Sequence, residues 1–79
     1  MQIIAEVSLF PLTQEYDAVI LEFIQRLKNC KEIQVTPGQA STVISGEYDR
    51  ILQVLTQECR IALDTGVKTA VVIKILNMA

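Results

Sequence analysis

Residues 2–12, QIIAEVSLFPL, alternate in a way that predicts a β-strand. One side of the strand would be uniformly apolar, which indicates packing against a layer of helices. That side carries Ile3, Ala5, Val7 and Leu9. The other side mixes large hydrophobes with a carboxylate and a hydroxyl, and it carries Ile4, Glu6, Ser8 and Phe10. Such a mixture is unusual for a solvent face or a core face, so we expect the function on this second face. Pro11 has no N–H for a strand ladder and is expected to end the strand.

Two later segments show apolar residues at helical spacing. The first predicts a helix over residues 15–29, with Thr13 as its N-cap and an i,i+4 pair between Glu22 and Arg26 on its exposed side. Its apolar stripe consists of Tyr16, Val19, Ile20, Phe23, Ile24 and Leu27. The second predicts a helix that begins near Glu47 and ends at Gly66, the expected left-handed C′ residue. Its apolar stripe consists of Tyr48, Ile51, Leu52, Leu55, Cys59, Ala62 and Leu63.

Three more strands are predicted over residues 32–36, 39–45 and 67–76. The dipeptide Pro37-Gly38 favours a hairpin turn, with a loop longer than two residues because a type II turn matches strand twist poorly. Gly46 is expected to break the third strand. The resulting order, β-α-β-β-α-β, predicts a ferredoxin-like α+β sandwich that comprises residues 1–79 as a single domain. Right-handed crossovers would place both helices on one face of a four-stranded antiparallel sheet and leave the other face uncovered.

Size and composition together favour self-association. The chain has 79 residues, of which 51% are hydrophobic. A domain of this length buries only about 60% of the surface that its unfolded chain exposes. Part of the apolar surface is therefore expected to close against other copies of the chain, as a homo-oligomer (a dimer or a tetramer).

Charge and hydropathy narrow the possible partners and location. The net charge is −2 and no cluster of Lys and Arg occurs, so no nucleic acid partner is expected. No apolar run reaches the roughly 20 residues that cross a bilayer, and no signal peptide pattern is present. We therefore expect a cytoplasmic protein without membrane insertion. In that compartment Cys30 and Cys59 are expected to be reduced thiols.

The chain contains no histidine, which removes the usual general base and zinc ligand. We expect no catalytic residue, no metal and no cofactor, and hence no enzyme. Ser8 as a nucleophile would need Lys68 or Lys74 as its base, so an ordinary strand hydroxyl or a ligand-facing hydroxyl is the better interpretation.

Further candidates for ligand contacts follow Ser8. Phe10 would stand beside Ser8 on the uncovered face, where its ring could attract a cation. Ser41 and Thr42 point to opposite faces of a strand, so at most one of them can join Ser8. Glu47 is either a charge that favours the helix N-terminus or a ligand contact. The two tyrosines are expected in the helical core stripes.

Three stretches resemble the thiamine-binding, YkoF-like family. They are AEVSLFPL at residues 5–12, STVISGEYDRI at residues 41–51, and TGVKTAVVIKI at residues 65–75. The resemblance implies a ferredoxin-like domain that assembles through its sheets and binds thiamine, or its hydroxymethylpyrimidine moiety, without turnover at the sheet or oligomer interface. The ligand-binding residues that it implies are Ser8, Phe10, Leu12, Ser41, Thr42 and Glu47.

Two other functions remain open at this point. The uncovered face could serve only to oligomerise or to dock a larger protein, as a structural interaction module without a specific ligand. The domain could also be an allosteric sensor like the amino-acid-binding ferredoxin-like modules. The polar residues Glu6 and Ser8 on an otherwise apolar face favour the ligand-binding function.

Overall fold

The computed structural model describes residues 1–78, which form four strands and two helices in the predicted order. The strands are β1 (Gln2–Pro11), β2 (Ile33–Pro37), β3 (Thr42–Glu47) and β4 (Thr69–Asn77), and the helices are α1 (Tyr16–Lys28) and α2 (Tyr48–Leu63). All neighbouring strands are antiparallel, and their order across the sheet is β2-β3-β1-β4. The structure confirms the ferredoxin-like sandwich.

Strand β1 lies at the centre of the sheet and supplies the middle of the core. Its helix-facing residues Ile3, Ala5 and Val7 are almost completely inaccessible to solvent. The alternation predicted for this strand is therefore confirmed. The buried apolar core consists of Ile3, Ala5, Val7, Leu9, Phe23, Leu27, Ile44, Ile51, Val54, Leu55, Cys59 and Ala62.

The other side of the sheet, called here the open face, is covered by neither of the two helices that residues 1–78 form. The register places Ser8 opposite Val72, and Phe10 opposite Ala70. Glu6 lies opposite Lys74, and Nζ of Lys74 is 3.4 Å from Oε1 of Glu6. This surface combines polar and apolar groups, as the alternation along β1 predicts.

Gly46 does not break β3, which is a correction of the sequence prediction. It lies inside the strand, opposite Ile3 on one side and Ile33 on the other. A Cβ atom at this position would lie 3.1 Å from the carbonyl oxygen of Glu32. The glycine is therefore explained by the close approach of the chain before β2, and not by a turn.

The boundaries of α1 and of the loops show what local sequence signals can predict. Pro11 ends β1, as predicted. Gly66 has the predicted positive φ, 80°, but its predicted place as the C′ residue is wrong, because the C-cap is Asp64 and Gly66 lies two residues beyond it. The hairpin loop between β2 and β3 is longer than two residues, also as predicted. The prediction of Thr13 as N-cap is wrong, because Glu15 holds that position without a side-chain cap. Neither helix of residues 1–78 has the length and apolarity needed to cross a membrane.

An ion pair between the two helices replaces the one predicted within α1. Nε of Arg26 donates to Oε1 of Glu58 at 2.8 Å, and the guanidinium also lies 5.8 Å from the ring centroid of Phe23. The predicted partner Glu22 is exposed on α1. Arg26 prefers Glu58 because that carboxylate is mostly shielded from water, where a charged hydrogen bond is stronger.

Loss of the Glu58 carboxylate should destabilise the fold. We expect Glu58→Ala to lower the free energy of unfolding by about 1–2 kcal/mol, because Arg26 then loses a charged hydrogen bond in a partly buried position. Urea unfolding followed by circular dichroism measures this change. Glu22→Ala is the matched control on the exposed side of α1 and should change stability by less than about 0.5 kcal/mol. Equal losses in the two variants would contradict the role of the ion pair.

Both cysteines are free thiols, as predicted, and both are shifted toward the protonated form. Burial raises the pKa of the Cys59 thiol above 9.0, the charge of Glu58 raises it further, and Arg26 opposes the shift. Burial also raises the pKa of Cys30, with Glu58 acting in the same direction and Arg50 opposing it. The folded chain therefore holds these protons more tightly than the unfolded chain.

This shift predicts that alkaline pH weakens the fold. A thiol with a raised folded-state pKa stabilises the protein fully below its unfolded pKa of 9.0, and that contribution is lost as the pH rises through the folded pKa. We expect the free energy of unfolding to fall above about pH 9, and to fall less steeply in Cys59→Ala. Urea unfolding at several pH values from neutral to alkaline tests this. Parallel pH profiles for wild type and variant would contradict it.

Candidate functional site

An apolar cleft of about 400 Å³ lies where β1 ends and α1 begins. The β2–β3 loop forms its opposite wall. The cleft is lined by Leu9, Phe10, Pro11, Leu12, Tyr16, Ile20, Gln39 and Ala40. Ligand sites in proteins are typically concave, mainly apolar and of about this volume, with a small number of polar groups.

Local chain geometry explains why large apolar side chains are exposed at the cleft. Pro11 ends the strand, and the N–H of Leu12 donates to the carbonyl of Lys68 at 2.8 Å, which fixes the chain as it leaves the sheet. The N–H of Glu15 then donates to Oγ1 of Thr13 at 3.4 Å, and α1 begins at Tyr16. This segment passes the end of the sheet, so its side chains have no second layer to cover them.

Two aromatic rings belong to this exposed group. Phe10 is 52% exposed and Tyr16 is 49% exposed, and both line the cleft. The prediction that Tyr16 and Tyr48 lie in the core is wrong, because each is the first residue of its helix and is exposed there. Helical periodicity alone could not reveal this. The signal that could have found Tyr16 is its position directly after the loop that leaves β1.

A smaller cavity of about 50 Å³ adjoins the cleft and is walled partly by hydroxyl-bearing residues. Three of the predicted site residues, Ser8, Ser41 and Thr42, line it together. The cavity shares four of its lining residues with the cleft, so the two spaces are neighbours. The shared residues are Leu9, Ile20, Gln39 and Ala40.

Hydrogen bonds hold the β2–β3 loop across this end of the sheet. Oγ of Ser8 donates to the carbonyl of Ala40 at 3.2 Å, and the N–H of Gly38 donates to the carbonyl of Ser41 at 2.8 Å. A Cβ at position 38 would lie 2.9 Å from that same carbonyl oxygen, so the turn requires glycine. Ser8 thus positions the loop wall of both spaces.

The predicted site residues differ in where they lie. Phe10 and the highly exposed Leu12 border the cleft directly. Thr42 is 4% exposed and lies opposite Val7, on the helix-facing side of the sheet, while Ser41 is half-buried just before β3 begins. Sequence reasoning named neither Gln39 nor Ala40, which join the site through the conformation of the loop.

Glu47 lies apart from the other predicted residues. It is at the far end of β3, five residues beyond Thr42, and a strand of that length spans about 17 Å. Its Oε2 accepts a hydrogen bond from the amino terminus of Met1 at 2.8 Å. The structure therefore brings Ser8, Phe10, Leu12, Ser41 and Thr42 to one end of the sheet and places Glu47 at the other.

The cleft carries charge only at its margins. Glu15 and Asp17 flank Tyr16 in the sequence and are exposed. Lys68 lies next to Leu12, because its carbonyl accepts the hydrogen bond from the Leu12 N–H. Among residues 1–78, no group of three His, Cys, Asp or Glu side chains could hold a metal ion. The chemistry that this site offers is therefore stacking against aromatic rings together with hydrogen bonding to hydroxyl and backbone groups.

A family model that describes the YkoF-related family matches residues 2–75, which is almost the whole chain. The chain belongs to the YkoF-related family. The match includes β1, both helices and most of β4, so the cleft of this YkoF-related protein lies within the part that the family shares. A search of curated proteins found no match.

Solved structures of other proteins share this YkoF-related fold. A Streptococcus pneumoniae protein is similar with a TM-score of 0.89 and 23% identity, over 100% of this chain and 89% of its own. A Thermotoga maritima protein provisionally assigned to thiamine biosynthesis or salvage has a TM-score of 0.85 and 14% identity, over 98% of this chain and 84% of its own.

A third structure extends the comparison to a domain without an assigned function. It is a domain of unknown function, DUF77, from Bacillus cereus, with a TM-score of 0.81 and 22% identity, over 98% of this chain and 76% of its own. Similarity at these identities shows the fold alone. The function must be argued from the side chains of the site.

Proposed function

We propose that this protein binds thiamine, or its hydroxymethylpyrimidine moiety, in the cleft at the end of β1 and releases it unchanged. The observation that carries the proposal is the pair of exposed rings, Phe10 and Tyr16, on an apolar cleft beside a cavity lined by hydroxyl-bearing residues. Membership of the YkoF-related family and the thiamine assignment of the Thermotoga maritima relative support this choice of ligand.

The chemistry of thiamine matches the two parts of the site. A thiazolium is a cation, and cations are attracted to the faces of aromatic rings such as Phe10 and Tyr16. An aminopyrimidine is a flat ring with donors and acceptors, which the hydroxyls of Ser8 and Ser41 and the carbonyl of Ala40 could bind. The smaller cavity has room for a group the size of a water molecule, such as an exocyclic amine.

Binding without catalysis is supported by the surroundings of Ser8. Its hydroxyl donates to a backbone carbonyl and not to a basic side chain. Lys74, one of the two lysines considered as its base, instead approaches Glu6. A serine needs an adjacent base to become a nucleophile, so a hydrogen-bonding role for Ser8 fits its contacts better.

Self-association is the second part of the proposal, with the protein acting as a homo-oligomer (a dimer or a tetramer). It is favoured by large apolar side chains that remain exposed on β4. This leaves a structural interaction module as the alternative function, in which the open face and β4 assemble copies without any ligand. Under this alternative, a substitution in the cleft should leave the number of subunits in the assembly unchanged.

Tyr16 provides the first test of the ligand proposal. We expect Tyr16→Ala to weaken thiamine binding about tenfold, because a ring that stacks on or faces a cation contributes on the order of 1 kcal/mol. Isothermal titration calorimetry measures the affinity. Tyr48→Ala is the matched control, because Tyr48 is also an exposed first residue of a helix and does not line the cleft. Equal affinities in the two variants, or no binding by the wild type, would contradict the proposal.

Ser8 distinguishes the ligand-binding function from the interaction module. Ser8→Val removes the hydroxyl and its hydrogen bond to Ala40. We expect affinity for hydroxymethylpyrimidine to fall about tenfold, which corresponds to one lost hydrogen bond. Calorimetry gives the affinity, and light scattering gives the assembly state. An unchanged affinity would contradict the role of Ser8 in binding, and no binding by the wild type together with an unchanged assembly state of Ser8→Val would favour the interaction module.

A further inference from the structure

One polar side chain borders both spaces of the candidate site. Gln39 lines the cleft and also the smaller cavity. The other residues that the two spaces share have apolar side chains and are Leu9, Ile20 and Ala40. Gln39 is exposed, so its amide is accessible to a ligand in the cleft. Within residues 1–78 it is therefore the one polar side chain that a ligand could contact from either space.

Two hydrogen bonds fix the backbone on either side of Gln39. The N–H of Gly38 donates to the carbonyl of Ser41 at 2.8 Å, and this bond closes the loop around its two tip residues. Those residues are Gln39 and Ala40. The carbonyl of Ala40 accepts the bond from Oγ of Ser8 at 3.2 Å, which ties the tip to β1. A ligand that contacts Gln39 therefore meets a backbone that is already positioned, which lowers the entropic cost of binding.

The amide of Gln39 has a more definite pattern of donors and acceptors than the hydroxyls nearby. A glutamine amide has N–H donors and a carbonyl acceptor side by side in one plane. A hydroxyl rotates to suit its partner, so Ser8 and Ser41 can pair with many kinds of polar group. Among the described residues that line the two spaces, Gln39 alone carries an amide side chain. It is therefore suited to recognise two adjacent polar groups on the edge of a flat ring.

An aminopyrimidine has such an edge. Its exocyclic amine is a donor, and the ring nitrogen next to that amine is an acceptor. Adenine presents an equivalent amine and ring nitrogen, and glutamine binds them through two hydrogen bonds. Thiamine and hydroxymethylpyrimidine both contain the aminopyrimidine, whereas the thiazolium of thiamine has no such pair of groups. The amide of Gln39 therefore complements the part that the two proposed ligands share.

We propose that Gln39 selects aminopyrimidine ligands by binding this edge through two hydrogen bonds. Oε1 of Gln39 accepts from the exocyclic amine, and Nε2 donates to the adjacent ring nitrogen. The second N–H of the amine then donates to the carbonyl of Ala40, which has a lone pair beyond the one that Ser8 occupies. This inference rests on the proposed function, and it names the residue that determines which ring the site binds.

Recognition by neutral groups agrees with the composition of the site. No charged side chain of residues 1–78 lines the cleft or the smaller cavity. Apolar walls discriminate weakly between rings of similar size, because they contact apolar and polar ring atoms alike. A ring that lacks the amine would displace water from the Gln39 amide without replacing its hydrogen bonds, which is unfavourable. Gln39 thus supplies a selectivity that the apolar walls lack.

The experiment compares the wild type with Gln39→Met, which keeps nearly the same side-chain length and removes the amide. Nuclear magnetic resonance titration measures the affinity for hydroxymethylpyrimidine and for para-methylbenzyl alcohol. The second compound keeps the six-membered ring, the methyl group and the hydroxymethyl group, but it has neither the amine nor the ring nitrogens. We expect Gln39→Met to bind hydroxymethylpyrimidine about tenfold more weakly and para-methylbenzyl alcohol as tightly as the wild type does. Thiamine has the same edge and should lose affinity by the same factor as hydroxymethylpyrimidine.

A second glutamine provides the matched control. Gln34 is exposed on β2 of the same hairpin and lines neither space, so Gln34→Met should bind every compound as the wild type does. Circular dichroism must show wild-type secondary structure in both variants. Binding of neither thiamine nor hydroxymethylpyrimidine by the wild type would overturn the proposed function and this inference with it. Where the wild type binds, unchanged affinity of Gln39→Met for the same ligand would overturn only the role of Gln39. An equal loss of affinity for both ring compounds would also overturn that role, because the substitution would then act through the shape of the loop.

Discussion

The structure depends on the position of β1 between two other strands. Its odd-numbered residues carry the core, and because the strand is central, its backbone pairs with β3 on one side and β4 on the other. A shift of register by one residue would turn Ile3 and Val7 outward and bring Glu6 and Ser8 into the core. Burial of that carboxylate without a partner would cost several kcal/mol, so the register is strongly determined.

The same constraint places the proposed ligand site. Once the odd residues face the helices, Ser8 and Phe10 must face the other way, and β1 ends at Pro11, opposite Thr69 of β4. The chain then leaves the sheet past its own end, where α1 starts with Tyr16. The cleft is thus a consequence of how a central strand ends next to a helix and a hairpin loop.

Most of the fold, but only part of the site, can be predicted from the sequence. Alternation along β1 and the helical periodicity are local patterns, and they predict the element order because each element buries one face. Gly46 was misinterpreted because its reason is a contact with the Glu32 carbonyl, distant in sequence. The partner of Arg26 was missed for the same kind of reason, since Glu58 is on the other helix.

Site residues follow the same division between local and long-range information. Phe10 and Ser8 could be identified because strand alternation fixes their side of the sheet. Tyr16, Gln39 and Ala40 could not, because they enter the cleft through the path of two loops whose conformations depend on contacts such as the bond from Ser8 to Ala40. Glu47 belongs to a motif that is continuous in sequence, but the length of β3 separates it from Thr42.

A small chain with this topology has too few helices to cover the whole sheet. Two helices lie over four strands, and α2 leaves the isoleucines of β4 partly exposed. On the open face, Ala70 of β4 lies directly opposite Phe10 of β1, so apolar side chains extend from β4 to the cleft on that face as well.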